Sequence, residues 1–457
     1  MESTISLVFA PHDDGTGAFA VLWRLARALV RVADDYGCCL HLYFLNSSAG
    51  LGGQARLDSL LQDTRNLHAA TYIPIDNLIT LPKDTETATV RGALIPEMLR
   101  KSVRPFWDLW PVAPTTSVST SAFQGGPFKT TLNASDLTAN WWKSIGLGIS
   151  MGVPQLHRIA RKAGFPSIEV GDWFFSVGLR GCMQESSVPA ATIASTETDL
   201  ARIAQDEFKA VEAWLTLFQA PRRPYEVHLA GSAVKLSCMD GLLWTGDPPP
   251  PDITKWPLAV ELRKAIEDDI GGIRGAMPRR IAYIVPGTTP VWKGIVDRLK
   301  DRMPDPDGKV AIIDLNRSDG KLRLLEGKGL DLAGPTQLLK QVSGEEAHLA
   351  ICRASDFVVT RTAGGVLSGA ETQRPSVLVD EPGHWLGNIQ RDQCRDAGLC
   401  VVIPLADFLK DPGAAIQGQA DQIGTGGGLD QIVNTAKRLE LGAEVKLAQY
   451  LFDAYLK

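Results

Sequence analysis

Three residues near the start of the chain, His12, Asp13 and Asp14, have side chains suited to acid–base chemistry. They follow a short apolar segment, residues 5–10. An aspartate, or a histidine oriented by an aspartate, is a suitable general base for removing a proton from a hydroxyl or an amine. We therefore predict that one of the three is a catalytic base, and the sequence leaves open which one. Aspartate is also a favoured N-cap residue, so one of the carboxylates can instead cap the helix that follows.

Glycines follow directly, in the segment Gly15-Thr16-Gly17-Ala18-Phe19-Ala20. This spacing satisfies the dinucleotide pattern GxGxxG/A, in which glycines at the end of a strand let backbone N–H groups meet a pyrophosphate. Here His12 and two carboxylates stand between the strand and the glycines, and the next apolar strand ends at Leu45-Asn46 without an acidic residue for a ribose. These features disfavour a nicotinamide dinucleotide and favour a loop that faces a neutral nucleophile.

A second candidate site lies in the segment 354–404, which reads ASDFVVTRTAGGVLSGAETQRPSVLVDEPGHWLGNIQRDQCRDAGLCVVIP. Gly364 and Gly365 let backbone amides approach a phosphate, and the helix that they open directs its positive N-terminus at that charge. A carboxylate farther along such a helix can accept the hydroxyls of a ribose, and Glu371 is the nearest one. The pattern predicts a phosphate site just after Arg361.

Alternating strands and helices position both candidate sites. Segment 5–10 reads as a strand, apolar residues in 21–32 recur every three or four positions as in a helix, and 38–45 reads as a second buried strand. A second series of the same kind begins at 279–290. Such alternation predicts parallel sheets covered by helices on both faces.

The domain boundary is predicted at four consecutive prolines, Pro248–Pro251, which can continue neither a helix nor a central strand. A chain of 457 residues is long enough for two domains. We predict an N-terminal α/β domain over 1–250, a linker over 251–275, a C-terminal α/β domain over 276–430 and a last helix over 431–457 that crosses back to the first domain.

Composition narrows the functional class. The formal net charge is −5 and there is no dense run of lysine and arginine, so nucleic acid is not an expected partner. The seven cysteines have no CxxC or other metal-type spacing, which predicts reduced buried thiols and no metal site. The apolar segment 5–10 is too short for a signal peptide, and no later run approaches the roughly 20 residues of a membrane span. We expect a soluble, cytoplasmic protein.

The segment 354–404 resembles the donor-binding half of GT-B glycosyltransferases, in particular the MurG-like, nucleotide-sugar-dependent transferases. Their pattern is Ala-Asp, an apolar strand, Arg-x-Gly-Gly, small residues opening a helix, a proline, a second apolar strand, another proline, and Gln-x-x-Asn before a helix that ends in glycine. The corresponding positions are Arg361, Gly364, Gly365, Ser368, Pro375, Pro382, Gln390 and Gln393, with two residues rather than one between Arg361 and Gly364. The family's glutamate falls closer to Ser368 than Glu371 does, and Gln393 stands where asparagine is usual.

The resemblance extends to other parts of the chain. Gly287-Thr288-Thr289 resembles the family's other phosphate-facing turn, and the Gly15–Gly17 loop with the helix after it is similar to the first loop and helix of these enzymes. Ala18-Phe19 replaces the histidine that the family places after its glycines. The segment that ends at Asp172-Trp173 looks like the acceptor-domain helix and strand that end beside the bound acceptor. His384 either binds the phosphate region of the donor or closes a turn.

The resemblance implies an α/β protein with two Rossmann-like domains facing a cleft, the GT-B arrangement. It implies an inverting, metal-independent glycosyltransferase that moves a sugar from a nucleotide diphosphate sugar to a small or medium acceptor, with no tightly bound cofactor. The acceptor-binding residues would be Gly15, Gly17, Asp172 and Trp173. The donor-binding residues would be Gly287, Thr288, Thr289, Arg361, Gly364, Gly365, Ser368, Glu371, His384, Gln390 and Gln393.

Two other functions stay open. One is a nucleotide-sugar epimerase or hydrolase of the same fold, and the other is a non-catalytic nucleotide-sugar-binding subunit.

Overall fold

The computed structural model describes residues 3–11, 16–46, 67–74, 119–122, 138–151, 153–170, 183–184, 187–206, 213–216, 234–237, 264, 268, 280–285, 290–301, 310–316, 321–325, 330–331, 344–380, 391, 394–395, 398–420, 432 and 443–456. These residues form two compact units. The first unit comprises the described residues from 3 to 237 together with 443–456, and the second those from 264 to 432. The predicted linker, 251–275, lies outside the described residues apart from Lys264 and Asp268.

The first unit is built on one sheet. Its elements are, in chain order, β1 (Ser3–Pro11), α1 (Thr16–Tyr36), β2 (Cys38–Asn46), β3 (Leu67–Pro74), β4 (Ser119–Ala122), α2 (Ala139–Lys143), β5 (Ile145–Met151), α3 (Pro154–Ala163), β6 (Ser167–Val170), α4 (Ala190–Asp206), β7 (Ala213–Thr216) and β8 (Val234–Ser237). The strand order is β4-β3-β2-β1-β5-β6-β7-β8, and only β4 runs antiparallel to its described neighbour. The predicted parallel sheet is therefore present, with an antiparallel edge.

The second unit is built on the other sheet. Its elements are β9 (Arg280–Ile284), α5 (Pro290–Lys300), β10 (Val310–Asn316), β11 (Lys321–Leu324), β12 (Leu330–Asp331), α6 (Gly344–Ala354), β13 (Phe357–Thr360), α7 (Ala363–Glu371), β14 (Ser376–Asp380), β15 (Cys400–Pro404), α8 (Leu405–Lys410) and α9 (Pro412–Ala420). The strand order is β12-β11-β10-β9-β13-β14-β15. Strands β10, β9, β13, β14 and β15 are parallel, whereas β11 is antiparallel to both β10 and β12.

The antiparallel pair β10–β11 departs from the expected parallel arrangement. Only residues 317–320 connect the two strands, and a parallel pair would need a crossover of a dozen or more residues. Asp314 and Arg323 face each other across this pair, with the Arg323 Nε and Nη2 groups donating to the two carboxylate oxygens at 3.0 and 2.7 Å. The connection length therefore decides the direction of β11.

The core of the first unit contains an apolar stripe on α1, formed by residues that recur every three or four positions as the sequence predicts. Leu22, Leu25, Leu29 and Val32 are buried and pack with the inner residues of β1, β2 and β5. The helix ends at Tyr36, and the next residue, Gly37, has a φ of 61°, the left-handed conformation that glycine adopts without a steric penalty. The positions of α1 and β2 relative to β1 follow from this packing.

The C-terminal helix α10 (Ala443–Leu451) and the π-helical turn that follows it (Phe452–Leu456) also belong to the first unit. Leu451 and Phe452 are buried in the same core cluster as α1. The Phe452 ring stacks on Tyr36 with a centroid distance of 4.8 Å, and the Tyr36 hydroxyl donates to Asp453 Oδ1 at 2.8 Å. Among the described helices, none is both long enough and apolar enough to cross a membrane.

In each sheet, the direction in which the chain adds successive strands reverses once. In the first sheet the reversal lies between β1 and β5, and in the second it lies between β9 and β13. In open α/β sheets, ligands bind beyond the carboxyl ends of the strands at this reversal. Both candidate sites should therefore be sought at the ends of these four strands.

Candidate functional site

In the first unit, the candidate base and acceptor residues follow the carboxyl ends of two parallel strands. β1 ends at Pro11 and β6 ends at Val170. His12, Asp13, Asp14, Gly15, Asp172 and Trp173 lie outside the described residues. Gly17 is described and lies in the first turn of α1.

A buried polar cluster lies beneath the end of β6 and was not predicted from the sequence. Helix α3 carries His157, whose Nδ1 lies 2.9 Å from Ser167 Oγ and whose Nε2 lies 2.8 Å from Glu169 Oε2. All three residues are at most 2% exposed. Ser167 and Glu169 are two residues apart on β6, so their side chains share the face that α3 covers. The cluster joins α3 to β6; a substrate cannot reach it in this conformation.

In the second unit, the turn from β13 into α7 forms the start of the candidate phosphate site. β13 ends at Thr360, Arg361 follows half-buried, and Thr362 is the N-cap of α7. The Thr362 amide donates to Thr360 Oγ1 at 3.1 Å, and the Gly365 amide donates to Thr362 Oγ1 at 3.3 Å and to Thr362 O at 3.1 Å. Two of these bonds have threonine hydroxyl oxygens as acceptors and the third has a backbone carbonyl, and together they hold the turn.

The two glycines of this turn have different surroundings. A Cβ atom built on Gly365 would lie 2.6 Å from the Cβ of Thr360, which is far inside van der Waals contact. Gly364 is exposed, and its nearest neighbour to such an atom is Thr362 Oγ1 at 3.9 Å. Within the described part of the chain, the amides of Ala363 and Gly364 have no hydrogen-bond acceptor. An anion at this helix end would therefore meet the amides of Ala363 and Gly364, whereas the Gly365 amide is already bonded.

Ser368 and Glu371 lie farther along the same helix. The Ser368 hydroxyl donates to the Gly364 carbonyl at 3.0 Å, and the residue is 9% exposed. Glu371 is the last residue of α7, about 10 Å along the axis from Gly364 at roughly 1.5 Å per residue. Burial, and to a lesser degree the Glu371 carboxylate, raises the pKa of the Cys352 thiol on α6. The structure thus places Glu371 at the opposite end of α7 from the open amides.

The other predicted donor residues lie outside the described part of the chain. They are Gly287, Thr288, Thr289, His384, Gln390 and Gln393. In the sequence, His384 and Gln390 lie between Asp380 and Arg391. The side chains of these two charged residues form an ion pair, in which Arg391 Nη1 donates to Asp380 Oδ1 at 2.7 Å. Among the described residues, no group of three or more histidine, cysteine, aspartate or glutamate side chains is arranged as a metal site.

Comparison with known proteins identifies the fold. No family model matches the sequence, and no curated protein matches it. The solved structure of the spinosyn rhamnosyltransferase SpnG matches 98% of this chain and 100% of its own at 10% sequence identity, with a TM-score of 0.52. The chain has the GT-B fold. Its two units are the two Rossmann-like domains of that fold.

Other solved structures are similar at lower TM-scores. A glycotransferase of kitacinnamycin matches 99% of both chains at 13% identity with a TM-score of 0.48. The UDP-GlcNAc 2-epimerase from Neisseria meningitidis matches 98% of both chains at 7% identity, also with a TM-score of 0.48. The solved structures similar to this chain are mostly glycosyltransferases and include some UDP-GlcNAc 2-epimerases.

Proposed function

We propose that this chain is a glycosyltransferase that moves a sugar from a nucleotide diphosphate sugar to a small or medium acceptor, with inversion and without a metal ion. One observation carries the proposal. The order of strands in the second sheet reverses beside β13, and there Arg361 precedes a helix whose first two amides, those of Ala363 and Gly364, have no acceptor among the described residues.

This arrangement suits a diphosphate for three physical reasons. The open amides point away from the helix and can donate to phosphate oxygens. The helix dipole adds about half a positive charge at the same end. Arg361 supplies a full positive charge one residue before the N-cap, and a guanidinium can bind phosphate oxygens in a bidentate manner. The small surface of Gly364 lets the phosphate approach the backbone.

The same groups support the chemical step. The acceptor oxygen forms a bond to the anomeric carbon, while the bond from that carbon to the diphosphate breaks and leaves its electron pair on the diphosphate. The acceptor proton passes to a base. Negative charge therefore develops on the leaving group, where the amides and Arg361 stabilise it without reorganising. Inversion follows because the acceptor attacks from the side opposite the leaving group.

The first unit supplies the base and the acceptor site in this proposal. His12, Asp13 or Asp14 removes the proton, and Gly15, Gly17, Asp172 and Trp173 bind the acceptor. His12, Asp13, Asp14 and Gly15 follow the end of β1 in the sequence, and Asp172 and Trp173 follow the end of β6. The remaining donor contacts come from Gly287, Thr288, Thr289, Ser368, His384, Gln390 and Gln393. Glu371 is the weakest candidate because it ends α7. We also propose a cytoplasmic location.

Nucleotide binding tests the donor site. UDP, dTDP, GDP and their sugars should be screened for a rise in melting temperature, because a ligand that binds the folded state stabilises it according to its affinity. We expect at least one to stabilise the wild type, and Arg361→Ala to lose most of that shift. Arg298→Ala, an exposed arginine near the end of α5, is the matched control and should keep it. A wild type that no nucleotide stabilises would overturn the donor site.

Turnover distinguishes the candidate functions. A transferase consumes the donor only when an acceptor is present, whereas an epimerase or a hydrolase consumes it alone, and a binding subunit does neither. Among His12→Ala, Asp13→Ala and Asp14→Ala, the variant that lacks the base should lose turnover and keep the nucleotide-induced shift. A carboxylate that only caps the helix would lower the melting temperature on substitution without abolishing turnover.

A further inference from the structure

Thr360, the last residue of β13, is only 1% exposed, so its side chain does not itself reach a ligand. Its hydroxyl oxygen accepts from the Thr362 amide at 3.1 Å, and the hydroxyl donates to the Thr362 carbonyl at 3.3 Å. One buried side chain at the end of the strand therefore binds both backbone groups of the N-cap residue of α7. Arg361 is the single residue between Thr360 and Thr362, and it lies at the apex of this closed turn.

The hydrogen bonds of Thr362 continue the contact into the first turn of α7. The Thr362 carbonyl also accepts from the amides of Gly365 and Val366, at 3.1 and 3.2 Å. The Thr362 hydroxyl oxygen accepts from the Gly365 amide at 3.3 Å. The first helical turn is thus tied to the end of β13 through the N-cap residue. The amides of Ala363 and Gly364, which have no acceptor among the described residues, lie within this tied segment.

We propose that Thr360 is a positioning residue for the diphosphate of the donor. By holding Thr362, its hydroxyl keeps Arg361 and the amides of Ala363 and Gly364 at fixed positions relative to one another. Groups that are fixed before a ligand arrives bind it more tightly, because binding does not have to order them. The proposal rests on the proposed function, since it concerns how the same groups bind the diphosphate.

Two substitutions separate the hydroxyl of Thr360 from its packing. Thr360→Val puts a methyl group in place of the hydroxyl, so it removes both bonds to Thr362 and keeps a branched side chain beside Gly365. Thr360→Ser keeps the hydroxyl and loses the methyl group. A positioning role of the hydroxyl therefore predicts weaker donor binding in Thr360→Val than in Thr360→Ser, whereas a role in packing alone predicts the reverse order.

A second buried threonine, at the other end of α7, provides a matched control. Thr372 is the C-cap residue of this helix and is 7% exposed, and its hydroxyl donates to the carbonyls of Ser368 and Gly369 at 2.8 and 3.1 Å. Thr372 lies about 12 Å along the helix from Gly364, at roughly 1.5 Å per residue. Thr372→Val removes the same chemical group from the same helix, so it should lower the melting temperature without changing the affinity for the donor.

The experiment measures nucleotide binding by isothermal titration calorimetry, and the melting temperature, for each variant of the full chain. The probe is whichever of UDP, dTDP and GDP stabilises the wild type most. We expect Thr360→Val to raise its dissociation constant about fivefold or more, and Thr360→Ser and Thr372→Val to stay within about twofold of the wild type. Both valine variants should melt below the wild type, because each loses buried hydrogen bonds.

The outcomes separate this inference from the proposed function. If the wild type binds a nucleotide and Thr360→Val keeps the wild-type dissociation constant, the positioning role is wrong and the transferase proposal stands. If Thr372→Val or Thr360→Ser weakens binding as much as Thr360→Val does, the hydroxyl of Thr360 has no specific effect and the positioning role is again wrong. A wild type that binds none of the nucleotides overturns both proposals. Should Thr360→Val fail to fold, Thr360→Ala decides by the same criterion, because it also lacks the hydroxyl and adds no atom beside Gly365.

Discussion

Nε2 of His157 lies 2.8 Å from Oε2 of Glu169, and the two side chains are 0% and 2% exposed. Ser167 Oγ occupies the other side of the same imidazole, 2.9 Å from Nδ1. Each polar atom of the ring therefore has a partner in the interior, as buried polar groups require. The contact fixes α3 against β6, the strand that ends two residues before Asp172.

Removing the carboxylate from this pair should strongly destabilise the first unit. Glu169→Ala leaves His157 buried without its partner, and breaking a buried pair in this way typically costs about 3–5 kcal/mol of unfolding free energy. Glu169→Gln keeps an oxygen that can accept from Nε2 and should cost less. Urea unfolding followed by circular dichroism measures both variants.

An exposed ion pair serves as the control for this prediction. Lys410 Nζ lies 3.0 Å from Asp407 Oδ1 on α8, and both side chains are more than half exposed. Asp407→Asn should change the unfolding free energy by no more than about 0.5 kcal/mol, because water screens such pairs. Equal stability of Glu169→Ala and Asp407→Asn would show that the buried contact has no structural role.

The two glycines of the β13–α7 turn should respond differently to substitution. Gly365→Ala forces a methyl group onto Thr360, and overpacking of this kind costs about 1–3 kcal/mol. Gly364→Ala adds its methyl group in open space, so folding should be nearly normal, whereas a phosphate that approaches the Gly364 amide should be hindered.

Melting temperatures and nucleotide titrations of the two variants measure this difference. Gly365→Ala should melt below the wild type, and Gly364→Ala should melt close to it with a smaller nucleotide-induced shift. If the order of the melting temperatures is reversed, the described packing of Gly365 on Thr360 is incorrect.

Much of the fold could be predicted from the sequence, because the local spacing of apolar residues indicates where helices and strands form. The stripe on α1, the strands on either side of it and the repeated strand–helix order in both halves follow from residue spacing. The antiparallel strand β11 was missed, because its four residues, Lys-Leu-Arg-Leu, alternate between charged and apolar side chains and form no apolar run. The four-residue connection 317–320 was the available signal.

The site was less predictable because its details arise from contacts between elements. The Gly-Gly pair indicated a phosphate-binding turn, yet only the position of Thr360 distinguishes the packed Gly365 from the open Gly364. Likewise, the hydrogen bonds of Thr362 determine which amides are available. The His157 cluster joins a helix to a strand ten and twelve residues later, and a single sequence gives no reason to pair those side chains.

Alkaline pH should destabilise the second unit through Cys400. This residue begins β15, and burial raises the pKa of its thiol from 9.0 to about 12, although nearby Arg395 acts in the opposite direction. Above pH 9 the unfolded chain releases this proton while the folded chain keeps it, so the unfolded state binds fewer protons and stability falls as the pH rises towards 12.

The variant Cys400→Ala isolates this contribution. Its unfolding free energy should fall less steeply than that of the wild type, by about 1 kcal/mol between pH 9 and pH 10. Urea unfolding at pH 8, 9 and 10 measures both slopes, and any cost of the smaller side chain cancels because it does not depend on pH. Parallel slopes would mean that the thiol titrates alike in the folded and unfolded chain.

The C-terminal helix should be essential for the stability of α1. Leu451 is fully buried in the core that α1 forms with β1, β2 and β5. Leu451→Ala should therefore cost about 2–5 kcal/mol, through the lost burial and the cavity left behind. Tyr36→Phe removes only the hydroxyl that donates to exposed Asp453, so it should cost about 0.5–1.5 kcal/mol and leave the ring stacked on Phe452.

Hydrogen exchange of the α1 amides locates the effect of these two variants. If α10 stabilises α1 by packing, exchange in α1 should accelerate strongly in Leu451→Ala and only slightly in Tyr36→Phe, because local opening depends on the buried contacts that are lost. Exchange in β13 and β14, which belong to the second unit, provides an internal reference that should not change. Acceleration in both units alike would indicate that the chain unfolds as one cooperative unit, whereas unchanged α1 exchange would mean that the Leu451 side chain does not support this helix.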